Sequence, residues 1–140
     1  MTQQRRDGNS TEFGLWLRQQ PEIDSNLGFV ASNIDFFWTN YKSGLWMLLE
    51  EKRYGHLPAY FQIQIYRTLD SAGKQHRLYK GFHILVFENT SPDDGGIWLD
   101  GRCITRADLI EFLQFVKYDD WYTSYFSQRD TKVIFSASIS

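Results

Sequence analysis

The sequence contains a single cysteine, Cys103, and three prolines among 140 residues. A lone cysteine excludes an intramolecular disulfide, so we expect a reducing, cytoplasmic location. No apolar run is long enough to cross a bilayer, and residues 1–9 are polar, without the apolar centre of a signal peptide. We therefore expect no membrane partner.

A strong excess of basic residues is also missing. The chain carries 15 Lys and Arg residues against 17 Asp and Glu residues, which gives a formal net charge of −2. A protein that binds nucleic acid through its overall charge is usually basic. Any nucleic-acid site must therefore depend on a local basic patch, or on a bound cation that offsets the charge of its own carboxylates.

Several familiar catalytic and metal-binding motifs are absent from the sequence. It has no glycine-rich phosphate loop, no paired-cysteine motif and no Gly-x-Ser-x-Gly motif. The three histidines, His56, His76 and His83, lack the spacing of a zinc site. These absences argue against a P-loop nucleotidase, a zinc-binding module and a serine hydrolase of the nucleophile-elbow type.

Apolar and aromatic residues, by contrast, are abundant, at 42% and 17% of the chain. At this length they can form one core but not two ordinary ones. We predict a flexible tail over residues 1–9 and one domain over 10–140. Its core is expected over about 11–88, with a C-terminal hairpin and helices over about 97–140.

The apolar pattern alternates between helical and strand spacing, which predicts an α/β fold. The turn dipeptide Asp100-Gly101 predicts a hairpin, and Thr105 with Asp108 resembles a helix capping box. The predicted elements are a helix over 10–20, strands over 27–31, 34–39 and 45–53, a helix from Pro58 to about Leu69, a strand over 78–88, a hairpin of 97–99 and 103–104, a helix from Thr105 through Lys117, an aromatic helical stripe over Tyr118–Phe126 and a last strand over 132–135.

Three ionisable residues on the predicted strands over 34–39 and 45–53 suggest chemistry. Glu50 and Lys52 are two residues apart on one strand, so their side chains project from the same face. Pairing with the preceding strand can bring Asp35 beside them. Two carboxylates suit Mg²⁺, which prefers oxygen ligands and retains several waters, and a lysine can meet the charge of a phosphate.

An acid, a short hairpin and then Glu-x-Lys on a strand resembles the PD-(D/E)XK nuclease superfamily, which includes restriction endonucleases, Holliday junction resolvases and recombination exonucleases. Ile34 stands where the family's name has proline. The resemblance covers about residues 11–88 and implies a restriction-endonuclease-like core, with a mixed central sheet flanked by helices. It further implies that Asp35 and Glu50 bind Mg²⁺ or Mn²⁺, and that Lys52 orients water or stabilises negative charge.

Two further features carry the same resemblance. Many members have a glutamate on the helix before the first core strand as an extra metal ligand, and Glu12 occupies such a place. Some exonuclease-like members carry Gln-x-x-x-Tyr on the helix after the lysine strand. Gln62 and Tyr66 fit this spacing and share a helix face, so both are predicted to contact substrate.

The substrate surface is expected to include Arg53 and His83. Arg53 belongs to a set of basic residues that could form a phosphate-binding rim. That set comprises Lys52, Arg53, His56, Arg67, Lys74, His76, Arg77 and Lys80. His83, inside an apolar strand, could touch substrate or act as a base, although a hydrogen-bonded structural histidine is the commoner explanation.

Plainer explanations of the same residues stay open. Asp35, Glu50 and Lys52 could form a cross-strand salt bridge on a solvated sheet face. Glu12 is favoured by the helix dipole without any function. Gln62 could be a solvated helix residue and Tyr66 an edge of the core.

We therefore predict a metal-dependent nuclease that hydrolyses DNA phosphodiester bonds, and we leave open whether it acts as a homodimer. Two alternatives stay open. One is a nucleic-acid-binding relative that has lost catalysis. The other is a non-enzymatic interaction protein that dimerises through its aromatic C-terminal region.

Overall fold

A computed structural model of the protein describes residues 11–116. The chain separates into two compact units, one up to Asn33 and the other from Ile34 onward. This boundary falls inside the range 10–140 that the sequence predicted as one domain. The predicted aromatic stripe Tyr118–Phe126 and the strand over 132–135 lie outside the described residues.

The first unit contains helix α1, Glu12–Gln19, which confirms the predicted helix. Thr11 caps it, because its hydroxyl accepts a hydrogen bond from the Gly14 amide at 3.0 Å. The helix stops before Pro21, whose ring disfavours helical geometry in the preceding residue. A short 3₁₀ turn, Pro21–Ile23, follows.

The predicted strand over 27–31 is wrong. Ser25–Leu27 forms a second 3₁₀ turn, which the Asp24 carboxylate caps at the Asn26 amide. Gly28 ends the turn with a φ of 101°, a left-handed conformation that glycine adopts without steric cost. The apolar residues of this segment predicted a strand. The Asp24 cap and the left-handed Gly28 produce a turn there instead.

Up to residue 116, the second unit contains a five-stranded sheet whose spatial order follows the chain. Its first strand pair is antiparallel, the strands Trp46–Lys52 and Tyr79–Phe87 are parallel with the helix Tyr60–Gly73 as the crossover, and the last two pairings are antiparallel. The predicted α/β class with a mixed sheet is confirmed. The elements are β1 Phe36–Thr39, β2 Trp46–Lys52, α2 Tyr60–Gly73, β3 Tyr79–Phe87, β4 Ile97–Leu99, β5 Arg102–Ile104 and α3 Arg106–Leu113.

Two apolar cores lie on opposite faces of this sheet. Alternate residues of β2 and β3 supply both, because successive strand side chains point to opposite faces. The α2 core contains Tyr66, Phe82, Ile84 and Val86. The α3 core contains Met47, Leu49, Leu85, Phe87, Ile97, Leu99, Ile104, Leu109 and Phe112.

The predicted hairpin and capping box are both present. Asp100 and Gly101 have φ angles of 52° and 85°, the left-handed pair that a two-residue hairpin turn requires. Thr105 and Asp108 exchange hydrogen bonds at the start of α3. The helix ends at Leu113, earlier than the predicted Lys117, and no helix among residues 11–116 is long and apolar enough to span a membrane.

Candidate functional site

The candidate site lies on the α2 side of β2. Glu50 and Lys52 are in register with Ile84 and Val86 of β3, two residues of the α2 core. Paired residues on neighbouring strands point to the same face, so Glu50 and Lys52 both face α2. The structure thereby confirms the predicted common orientation of these two side chains.

Glu50 is almost completely buried, and both of its carboxylate oxygens accept hydrogen bonds. The Tyr66 hydroxyl donates to Oε2 at 2.8 Å, and the Asp35 amide donates to Oε1 at 3.1 Å. Burial raises the pKa of Glu50, because lost hydration penalises the anion more than these hydrogen bonds favour it. Nearby cationic charge would bring the pKa down, and Lys52 already acts in that direction.

Asp35 directly precedes β1 and forms two hydrogen bonds with β2, one through its amide and one through its carboxylate. Its amide donates to Glu50, while its Oδ2 accepts a hydrogen bond from the Glu51 amide at 2.9 Å. Unlike Glu50, Asp35 is exposed to solvent. The antiparallel pairing of β1 with β2 therefore brings the two predicted acids together, one buried and one accessible.

Lys52 is held by α2 at the end of its strand. Its Nζ donates to Oε1 of Gln62 at 3.1 Å, and the Ala59 amide donates to the same oxygen at 2.9 Å. The Gln62 side chain thus accepts hydrogen bonds both from the start of α2 and from Lys52. It does so because it lies in that turn, where backbone amides have no partner within the helix.

Tyr66 has a different contact from the one that the sequence suggested. It is fully buried and stacks on Phe82 at a centroid distance of 4.6 Å, and its hydroxyl donates a hydrogen bond to Glu50. Burial and the Glu50 carboxylate raise its pKa far above the ordinary value, so the hydroxyl stays a proton donor. Tyr66 therefore positions Glu50 and does not offer a surface to substrate.

Arg53 and His83 are not brought to this site. The Nε of the exposed Arg53 lies 3.1 Å from Oε2 of the partly buried Glu51. Glu51 is adjacent to Glu50 on β2 and therefore projects from the opposite face. His83 pairs in register with Leu49 of the α3 core, also opposite Glu50, and is completely buried. The predicted substrate contact of His83 conflicts with this burial.

His83 is instead the hydrogen-bonded structural histidine that the sequence favoured as the commoner explanation, with partners that the sequence did not indicate. Its Nδ1 lies 2.6 Å from Oδ2 of Asp100, and its Nε2 lies 2.7 Å from the Lys80 carbonyl. Oδ1 of Asp100 accepts a hydrogen bond from the Ile84 amide at 2.9 Å. Asp100 was predicted only as a hairpin residue, and no local pattern connects it to a histidine seventeen positions away.

A second buried acid, Asp70 on α2, also has a structural explanation. Its Oδ1 accepts hydrogen bonds from the Tyr79 hydroxyl at 2.7 Å and from the Phe82 amide at 3.1 Å. Its Oδ2 lies 3.3 Å from Nζ of Lys74. Asp70 therefore ties the end of α2 to the start of β3.

Glu12 belongs to the first unit. It lies in the first turn of α1, where the exposed amides favour an acid. Its assistance in metal binding stays a prediction.

A divalent cation would find two protein carboxylates here. Within residues 11–116, no group of three or more Asp, Glu, His and Cys side chains could hold a metal ion. Asp35 and Glu50 are neighbours through the Asp35 amide and Oε1 of Glu50, and Mg²⁺ commonly takes one or two carboxylates and fills its remaining positions with water and phosphate. The donor set thus suits magnesium and not a closed structural zinc site.

Comparison with family models, curated proteins and solved structures found no match to this chain. The candidate site therefore stands on its own geometry: an exposed acid, a buried acid and an anchored lysine at one end of β2.

Proposed function

We propose that this protein is a nuclease that hydrolyses DNA phosphodiester bonds with Mg²⁺ or Mn²⁺ as cofactor. The observation that carries the proposal is the grouping of Asp35, Glu50 and Lys52, which α2 supports through Gln62 and Tyr66. Two acids and one amine suit a reaction in which a phosphate must first be held and then gain negative charge.

The roles of the residues follow from their surroundings. Asp35 and Glu50 would hold the cation, which when bound supplies Lewis-acid polarisation of the phosphate and of water. Lys52 would bind a non-bridging phosphate oxygen and stabilise the added charge of the transition state. Hydrolysis adds water oxygen to phosphorus, breaks one ester bond and returns a proton to the departing sugar oxygen.

The supporting residues restrict motion at the site. Gln62 holds the Lys52 ammonium, and the Tyr66 hydroxyl holds the Glu50 carboxylate. Prior positioning of this kind accelerates reactions because the entropy of orientation is lost before the reaction begins. The mixed sheet and the α2 crossover between parallel strands agree with a restriction-endonuclease-like core, which we propose as the finer fold assignment.

The test is a panel of labelled duplex DNA, single-stranded DNA and RNA incubated with Mg²⁺, Mn²⁺ or EDTA. We expect the wild type to cut DNA only when a divalent cation is present. Asp35→Asn and Lys52→Ala should each reduce the rate at least a hundredfold. Glu51→Gln, on the opposite face of the same strand, and Lys42→Ala, in the turn before it, are the matched controls and should retain activity.

Cleavage that survives both Asp35→Asn and Lys52→Ala would refute the assignment. The proposal also fails if the wild type cuts no member of the panel.

A specific observation favours the inactive nucleic-acid-binding alternative. Both Glu50 oxygens already accept hydrogen bonds, and residues 11–116 offer no third ligand. Calorimetric titration with Mn²⁺ separates the two candidates. Binding that Asp35→Asn abolishes supports the nuclease, whereas DNA binding without cation binding supports the inactive relative.

A further inference from the structure

The segment that follows β2 exposes four large apolar or aromatic side chains beside the candidate site. Tyr54, Leu57, Tyr60 and Phe61 are 61%, 44%, 79% and 51% exposed. We refer to these four residues as the aromatic platform. Lys52 and Gln62 bound the segment and lie 3.1 Å apart through Nζ and Oε1. The contact between Lys52 and Gln62 therefore closes the chain between them into a loop.

This loop has a defined backbone. The Tyr54 amide donates to the Asn89 carbonyl, and the Gly55 amide donates to the Phe87 carbonyl, each at 2.9 Å. Tyr54 has a φ of 57°, an uncommon conformation for a bulky residue that the surrounding contacts must maintain. The loop thus presents aromatic side chains to solvent from an anchored backbone.

The stretch of sequence that carries the platform differs in charge from the whole protein. From Lys52 to Leu69 the sequence contains no Asp or Glu, although the chain has a net charge of −2. The same stretch contains Lys52, Arg53, His56 and Arg67. Arg53 is paired with Glu51, so the basic residue that the structure places beside the platform is Lys52. Exposed aromatic rings next to this ammonium group are complementary to a polyanion that exposes flat apolar rings.

We propose that the aromatic platform stacks unpaired bases, so that the substrate of this protein is a single-stranded segment or overhang of DNA. An intact duplex keeps the faces of its bases inside the helical stack, whereas a single strand offers each face to an aromatic side chain. Lys52, next to the platform, would receive the phosphate of the strand whose bases are stacked. This inference rests on the proposed function and specifies its substrate.

The test measures binding in EDTA, so that cleavage does not interfere. A fluorescent 20-nucleotide single strand, the blunt duplex of the same sequence and that duplex with a single-stranded overhang are titrated with wild-type protein. The variant is Tyr60→Ala with Phe61→Ala. Both side chains are more than half exposed, and alanine favours the helix, so the fold should persist. Tyr41→Ala is the control, because this exposed tyrosine precedes β2 and lies about 20 Å from its other end.

We expect the wild type to prefer the single strand and the overhang to the blunt duplex. The double alanine variant should lose at least tenfold in affinity for both, with the blunt duplex little changed, and Tyr60→Phe should retain wild-type affinity. Equal losses on all three DNAs would overturn the inference, and so would an unchanged preference. Loss of self-association in the double variant, with DNA binding unaltered, would identify a contact between copies and also overturn it.

Failure of the proposed function gives a different result. In that case the cleavage panel is negative with every cation, whatever the strand preference in EDTA. A chain that cuts DNA but shows no platform-dependent preference would retain the nuclease assignment and lose only the substrate assignment.

Discussion

Both ring nitrogens of His83 face oxygen acceptors inside the protein. Nδ1 lies 2.6 Å from the Asp100 carboxylate and Nε2 lies 2.7 Å from the Lys80 carbonyl. A neutral imidazole has only one N–H, so it cannot satisfy both acceptors, whereas imidazolium can. Burial lowers the pKa of His83, but Asp100 and the Lys80 carbonyl together hold it above the ordinary value. Both the contacts and the raised pKa therefore favour the protonated form of His83.

The stability of the protein should fall as pH rises through the folded-state pKa of His83. A raised pKa contributes stability that is fully present below the unfolded pKa of about 6.5. This stability is lost as pH rises through the higher folded pKa, where the folded state gives up its proton as well. Urea unfolding across the neutral and mildly alkaline range measures this loss. His83→Gln should remove the dependence, whereas His56→Gln, an exposed histidine, should retain it. Identical pH profiles in the wild type and His83→Gln would contradict this explanation.

Cation binding should show competition with protons at Glu50. A cation binds the ionised carboxylate, and burial holds the Glu50 pKa above its ordinary value. Mn²⁺ affinity is therefore expected to keep rising with pH beyond the range where an exposed glutamate is already ionised. Titration calorimetry from pH 5 to pH 8 measures it, with Glu51→Gln as the control. Affinity that is flat over this range would argue against Glu50 as a ligand.

Tyr66→Phe should affect both stability and the pH profile of activity. It leaves a buried carboxylate oxygen without its donor, which costs about 1–3 kcal/mol in the free energy of unfolding. It also removes a hydrogen bond that lowers the pKa of Glu50, so the acidic limb of the rate profile should move to higher pH.

Tyr79→Phe is the matched control for that substitution. It removes an equivalent bond from a tyrosine hydroxyl to the buried Asp70 carboxylate. It should destabilise the protein to a similar degree and leave the pH profile of cleavage unchanged. A shift in both variants would mean that general loosening, and not the Tyr66 contact, sets the profile.

Gln62→Ala should slow cleavage less than Lys52→Ala does. The Gln62→Ala substitution removes the group that positions Lys52 but keeps the ammonium group itself. We therefore expect the cleavage rate to fall about 10- to 100-fold. The control is Gln64→Ala, at an exposed glutamine on the same helix, and it should leave the cleavage rate unchanged. Single-turnover kinetics compare the chemical step in the three variants. Equal effects of the Gln62 and Gln64 substitutions would contradict a positioning role.

Local patterns were sufficient for several elements. The spacing of Glu50 and Lys52 on one strand, and of Gln62 and Tyr66 on one helix, follows from the periodicities of strands and helices, which hold wherever these elements form. The Asp100-Gly101 hairpin and the capping box of Thr105 are likewise decided within four residues. The wrong prediction of a strand over 27–31 shows where local patterns are insufficient. Apolar residues form a strand only where another strand can pair with them.

The amino-acid sequence by itself determined the α/β class, most element positions and which side chains of an element share a face. Only the tertiary structure decided which faces meet: that Asp35 contacts Glu50, that Tyr66 is buried against it, and that His83 lies across the sheet beside Asp100. The physical reason is the distance along the chain over which each kind of interaction acts. Periodicity and capping act within one turn or one strand, whereas burial, a shifted pKa and the partner of a charge depend on segments that folding brings together from distant positions.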